Sequence, residues 1–239
     1  MAERTKGWRS GLVTAALLQR PPAGRGAGPR VQRELAQLNM DDIVKQAMAK
    51  WPNVPAVYGW LGLDQRGNWL IKGDRITNPI VSEFISRNYE RDEQGRWYFQ
   101  NGPQRVFVTL AYTPVVYRVA TGDAPGLVAH TGAAVTELRS AWVDDHGILM
   151  VDTDQGAGIV DDRDLDCLLP WFTDSTGEVI AEDAIGAALE DLQAGGHSPI
   201  FIRYGGRQFP VTALRSSDAP ATLGFVQRPE PPPGEEACY

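Results

Sequence analysis

The sequence predicts an α+β fold made of two duplicated, mostly antiparallel β-hairpin/helix units joined in one pseudo-symmetric body. Three observations carry that expectation. Asp-x-x-Gly recurs at regular spacing at Asp64–Gly67, Asp92–Gly95, Asp144–Gly147 and Asp174–Gly177, leading into Trp69, Trp97, Leu149 and Val179 two positions on. The copies stand 28 and 30 residues apart within pairs and 80 and 82 residues apart between pairs, the regularity of an internal duplication. Short apolar runs flank the motifs, and helical spacing appears between them, an order of strand, strand, helix, strand.

The elements follow in chain order. Asp41–Lys50 reads as a helix with Asp41 at its start, where a carboxylate meets free N–H groups, and Trp51-Pro52 through Pro55 ends it. Ala56–Leu63 and Asn68–Ile71 read as a hairpin around Asp64–Gly67, with glycine supplying positive φ. Asn78-Pro79 opens a helix to Tyr89, with Ile80, Phe84, Ile85 and Tyr89 on one face. Arg96–Gln100 and Val106–Tyr112 are strands, and Pro114 makes Val115–Val119 an edge strand or a new one. Thr121–Ala134, with its glycines and Pro125, is the expected boundary between halves. Beyond it, Leu138–Val143 and Ile148–Thr153 flank the third motif. Asp161–Phe172 reads as a short helix with Leu165, Leu168 and Leu169 inward. Ala181–Ala194 is a second helix that breaks the correspondence between copies, and Pro199–Tyr204 with Phe209–Leu214 forms a hairpin across Gly205-Gly206. The expected divisions are a basic leader (1–39), a first unit (40–120), a second unit (135–216) and a solvated, disordered tail (217–239) rich in Pro, Glu and Gly.

Charge and composition narrow the function classes. At 239 residues the chain can bury one large core or two small ones. Its net charge is −7, although Arg4, Lys6, Arg9, Arg20, Arg25, Arg30 and Arg33 crowd the leader, so the body is more acidic still. An acidic body argues against nucleic-acid binding, which needs clustered Lys and Arg. No apolar run has the length of a membrane span. The leader admits three readings: a signal peptide, a transit peptide, or translation that starts at Met40. Cys167 and Cys238 form neither a metal spacing nor a disulfide framework, and Cys167 reads as a small core residue in a reducing compartment.

No motif fixes a chemistry. Counted from Asp152, the acidic run fails the EF-hand pattern: Ala157 stands where glycine is required and Arg163 where the last acid is required. Asp161, Asp162 and Asp164 read instead as helix-start acids. His130, His146 and His197 lack local partners, and Gly156-Ala-Gly158 is too short for a dinucleotide loop. No metal site and no cofactor is expected. The turn aspartates are accounted for by hydrogen bonds to the backbone two residues on. What remains is Gly95–Val108, where aromatics alternate with planar polar groups. On a strand, Trp97 and Phe99 face one way and Arg96, Tyr98 and Gln100 the other. Arg96, Tyr98, Gln100, Asn101, Gln104 and Arg105 are therefore the candidate ligand-binding residues.

The stretches Lys45–Asp64, Asn88-Tyr89 and Gly95–Val108 resemble an uncharacterised family of proteobacterial proteins, a domain of unknown function. The resemblance spans about Met40 to Leu214 and is strongest in the first half. It implies a bacterial, cytoplasmic protein that starts at Met40, and it carries over no catalytic residue. Two functions are expected to compete. One is a non-catalytic binding or adaptor protein that presents an aromatic/amide sheet surface to a protein or a small polar ligand. The other is an enzyme acting on a small polar substrate in a cleft between the units. The sequence leaves the oligomeric state open.

Overall fold

The computed structural model describes Asp42, Val44, Ala49 and residues 56–120 and 126–233. The basic leader, the Trp51–Pro55 helix stop, the first boundary residues and the last six residues lie outside the described residues. Of the helix expected at 41–50, Asp42, Val44 and Ala49 are described, and all three are helical.

The fold is mixed α+β, dominated by two curled sheets with few helices. The first sheet contains β1 (Val57–Leu63), β2 (Trp69–Ile71), β3 (Asp74–Arg75), β4 (Tyr89–Arg91), β5 (Trp97–Asn101) and β6 (Gln104–Leu110), in the order β3-β2-β1-β6-β5-β4. Helix α1 (Pro79–Arg87) joins β3 to β4. The second sheet contains β7 (Val115–Ala120), β8 (Gly126–Ala129), β9 (Leu138–Val143), β10 (Leu149–Thr153), β11 (Gly156–Val160), β12 (Phe172–Thr173), β13 (Phe201–Tyr204) and β14 (Arg207–Ala213). Its order is β12-β13-β14-β9-β10-β11-β7-β8. A composite helical run, 3-10 at Asp162–Asp164, α2 at Leu165–Leu168 and 3-10 again at Leu169–Trp171, precedes β12. Helix α3 (Glu182–Gln193) precedes β13, and α4 (Ala219–Leu223) follows β14.

Five strands of each sheet share one pattern of pairing. Along β2-β1-β6-β5-β4 the senses are antiparallel, parallel, antiparallel, antiparallel. Along β10-β9-β14-β13-β12 they are the same. The four Asp-x-x-Gly turns are also built alike. In each, the aspartate Oδ1 accepts the N–H groups two and four residues on. The glycine N–H donates back to the aspartate carbonyl at 3.0–3.2 Å. The glycines take φ of 74°, 79°, 77° and 93°, the left-handed region that residues with a Cβ avoid.

One apolar core joins the sheets. Leu61, Leu63, Trp69, Trp97, Phe99 and Val108 from the first meet Val115, Tyr117, Leu138, Val151 and Val160 from the second. α1 begins as expected, with the Asn78 side chain accepting the Ile80 N–H at 3.0 Å and Pro79 in the first turn. Its packed stripe is Val81, Phe84 and Ile85, one position on from the stripe expected to start at Ile80, which is 65% exposed. Tyr89 lies past the helix end, in β4.

Other expectations are corrected. Cys167 is exposed, because the i, i+3, i+4 spacing that turns Leu165, Leu168 and Leu169 to the core turns Asp166 and Cys167 outward. Of the two readings of Val115–Val119 the edge strand is excluded and the new strand holds: β7 lies in the second sheet between β11 and β8. The segment from residue 217 onward, expected to be a disordered tail, contains α4 and the buried Phe225. It straps both sheets together. Ala219 and Leu223 pack on the second sheet, while the Val226 N–H donates to the Gly95 carbonyl and the Leu110 N–H to the Gln227 carbonyl, each at 2.9 Å.

Candidate functional site

Alternation along the first sheet separates its two faces. Leu61, Leu63, Trp69, Ile71, Trp97, Phe99, Val106, Val108 and Leu110 point into the core. Tyr58, Trp60 and Gly62 of β1, Leu70 of β2, Phe107 and Thr109 of β6, and Arg96, Tyr98 and Gln100 beside them fall on the outer face.

The six expected residues lie together at the β4-β5-β6 side of that face. Arg96 donates from Nε to Asp92 Oδ2 at 2.7 Å and from Nη2 to Gln94 Oε1 at 3.1 Å, and its guanidinium lies 4.5 Å from the Phe107 ring centroid. Phe107 stacks on Tyr58 at 4.7 Å, and Arg105 covers the Tyr98 ring at 4.7 Å. Tyr98 donates to Glu90 Oε2 at 3.3 Å, and burial pushes its hydroxyl pKa up. Asn101 and Gln104 face each other across the β5–β6 turn, partly buried. The face is less open than expected. Tyr98 is buried with Tyr58 and Phe107, and Gln100 is wholly buried, its Nε2 donating to the Gly102 carbonyl at 2.8 Å and its Oε1 unpartnered. Arg105 is the exposed member.

The open part of the same face lies over β1, β2 and the end of β6. A groove of about 510 Å³ is lined there by Gly59, Trp60, Gly62, Leu70, Lys72, Thr109 and Ala111. β1 bulges at Gly59, where φ is 69° and the register against β6 shifts. Lys72 and Gly73, with φ of 51° and 89°, make the tight β2–β3 turn. The Lys72 N–H donates to the Trp60 carbonyl at 2.9 Å, and its ammonium sits 5.2 Å from the Trp60 ring centroid. None of these residues was singled out from sequence. The alternation Tyr58, Trp60, Gly62 was readable, but which face would be covered was not.

Between the sheets side chains pack against one another. Trp69, Tyr89, Trp97 and His130 form an aromatic cluster with ring centroids 4.8–5.8 Å apart. His130 Nδ1 accepts the Val116 N–H at 3.3 Å, so the neutral ring carries its proton on Nε2, which is buried without a partner. Burial holds its pKa down at about 3, against a small opposing pull from Asp64. The turn after β1 docks there too: Arg66 reaches Asp161 at 2.7 Å and also pairs with Asp162, while Arg163 and Arg118 converge on Asp161 and Asp164. Asp161 is held well below the usual carboxylate range by the Arg163 hydrogen bond, with Arg66 adding to it. Each acid of this run is thus occupied by an arginine or a backbone N–H, and among the described residues no group of His, Cys, Asp and Glu has metal-site geometry. Among them, too, no helix is long and apolar enough to cross a membrane.

Among curated proteins, none matches this chain. Two solved structures are similar to it. A DUF1285 family protein from Silicibacter pomeroyi DSS-3 has 17% identity and a TM-score of 0.48, over 84% of this chain and 94% of that chain. A DUF1285 family protein from Shewanella baltica OS155 has 10% identity and a TM-score of 0.36, over 45% and 88%. Residues 40–230 match the family described as "Protein of unknown function (DUF2946)", and the chain belongs to that family.

Proposed function

We propose that the protein is a non-catalytic binding protein whose working surface is the outer face of the six-stranded sheet, with the ligand seated in the Trp60–Lys72 groove. The observation that carries this is the groove itself. At about 510 Å³ it falls in the size range of small-molecule sites, and its lining is mostly apolar with a few polar groups. It lies on the same face of the sheet as the Arg96–Arg105 region, since Phe107 and Thr109 share one face of β6. In this reading the arginine–aromatic stacks stiffen the sheet beside the groove. The shared pairing pattern of the two five-strand sets, together with the shared turn geometry, supports descent from a doubled unit of which only the first copy kept an open outer face.

The enzyme reading needs a group that titrates near neutrality in a cleft between the sheets. His130 stands between them, and its burial argues against that role. The binding reading is tested by screening a fragment library against the protein with amide NMR correlation spectra. Compounds should shift Gly62, Leu70 and Thr109 together, and Gly62→Trp should remove those shifts. Compounds that cluster elsewhere, or shifts indifferent to Gly62→Trp, refute it.

A further inference from the structure

Gly62 and Trp142 hold the same place in the two sheets. Each stands two residues before a turn aspartate, Asp64 or Asp144. Gly62 pairs with Leu70 across the hairpin and with Thr109 on the parallel strand; Trp142 pairs with Met150 and Thr212 in the same senses. On the second sheet the Trp142 side chain fills this position and packs against the cluster of Val116, Met150, Ile159 and Ala219, the last of these from α4. On the first sheet there is no side chain. Among the described residues the nearest neighbours of a Cβ at Gly62 would be the Thr109 carbonyl at 3.5 Å and Leu70 at 3.6 Å, both ordinary contacts. Among the described residues no counterpart of α4 follows β6, which runs through Pro114 straight into β7. The groove therefore opens where the other sheet places an indole. Its rim carries Lys72, held to β1 by its backbone hydrogen bond, and among the described residues no carboxylate lies within ion-pair distance of its ammonium.

We propose that the groove binds a planar aromatic anion, its ring on Gly62 beside Trp60 and its negative group at Lys72. The proposal rests on the binding reading above and names its ligand class. Ring and charge have separate sources. A flat apolar floor with an indole wall selects a planar ring, and the unpaired ammonium selects the negative charge.

Naphthoate is the probe, with naphthylmethanol as the uncharged ring and cyclohexanecarboxylate as the non-planar anion. In amide NMR titrations naphthoate should shift Gly62, Leu70 and Thr109 saturably. It should bind roughly three- to fivefold more tightly than naphthylmethanol, the scale of one part-exposed ion pair, and Lys72→Met should erase that preference. Gly62→Trp should abolish binding with a urea midpoint no lower than the parent protein's. Should that variant not fold, Trp60→Ala carries the test, with a loss of about two- to tenfold expected from the missing stacking partner. Equal binding of all three probes, or naphthoate shifts that ignore Lys72, Gly62 and Trp60, overturns the proposal. Failure of naphthoate while other library compounds still occupy the groove overturns this ligand class alone; failure of every compound there overturns the binding reading as well.

Discussion

The four turn glycines share one backbone task and differ in what stands where a Cβ would go, so alanine at each separates strain from contact. At Gly177 the nearest atoms belong to the Gln208 side chain, 3.7 Å or more away. At Gly147 the obstacle is the end of the Gln193 side chain, which can rotate off. At Gly67 the Cβ of His130 lies 2.6 Å from the position, and at Gly95 the obstacle is the backbone of Gly224 in the C-terminal strap. Left-handed backbone costs alanine about 1–2 kcal/mol at every site. Gly177→Ala and Gly147→Ala should lose that much and little else. Gly67→Ala and Gly95→Ala add overpacking of about 1–3 kcal/mol, for losses of about 2–5 kcal/mol. Urea unfolding followed by tryptophan fluorescence measures all four on one scale. Gly95→Ala should also expose the strap around Phe225 to protease, since the Val226 N–H loses its seat on the Gly95 carbonyl. Equal losses at Gly177 and Gly95 would refute the reasoning, because strain alone would then explain the series and the turns would not dock as described.

Three further outcomes are expected. His130 is neutral in the folded protein down to about pH 3 but takes a proton near 6.5 when unfolded, so its burial destabilises the fold increasingly as pH falls from about 6.5 towards 3. In His130→Phe, urea midpoints between pH 6.5 and 4.5 should therefore fall less steeply, and an unchanged slope would count against the buried neutral ring. Asp161 works in the opposite range: its depressed pKa stabilises the fold above about pH 4, and that contribution is lost as pH drops below. Asp161→Asn should cost about 1–3 kcal/mol at neutral pH, with the gap to the parent protein closing in acid. Phe225→Ala should cost about 3 kcal/mol by calorimetry, whereas a disordered tail residue would cost nothing.

The turns were legible because their chemistry is local. An aspartate that bonds the N–H groups two and four residues on, followed by a glycine at positive φ, specifies itself within five residues. α1 was legible for the same reason, through Asn78 and Pro79, and so was the split of Trp97 and Phe99 from Tyr98 and Gln100, because strand alternation is a period-2 rule. What failed depended on distant partners. The parallel pairing of β1 with β6 joins residues some fifty positions apart, and the joining of β7 to β11 is as remote. The strap was hidden because Pro and Gly suppress periodicity, while Phe225 is a single anchor with no pattern around it. The surface expected to be open is only partly so. Alternation assigns residues to a face but does not say which part of that face is covered, so Tyr98 and Gln100 proved buried while Trp60 and Lys72, on the same face, border open space.

Gly62 is the residue that the fold alone leaves unexplained. Its φ is not in the left-handed region, and a Cβ there meets nothing closer than 3.5 Å, so neither backbone nor packing requires glycine. Inside a strand, glycine costs about 0.5–1 kcal/mol relative to alanine through the freedom it loses. At the matching position the second sheet uses tryptophan, which shows that the strand pattern accepts the largest side chain. A scaffold selected for stability alone would fill the place. Gly62→Ala should therefore raise stability by about 0.5–1 kcal/mol in urea unfolding while lifting the groove floor by one methyl group and weakening naphthoate binding. A gain in stability with binding unchanged would mean that the glycine serves neither the fold nor the groove. A loss of stability would show that the strand needs glycine after all, and the space above it would then be a by-product of the backbone.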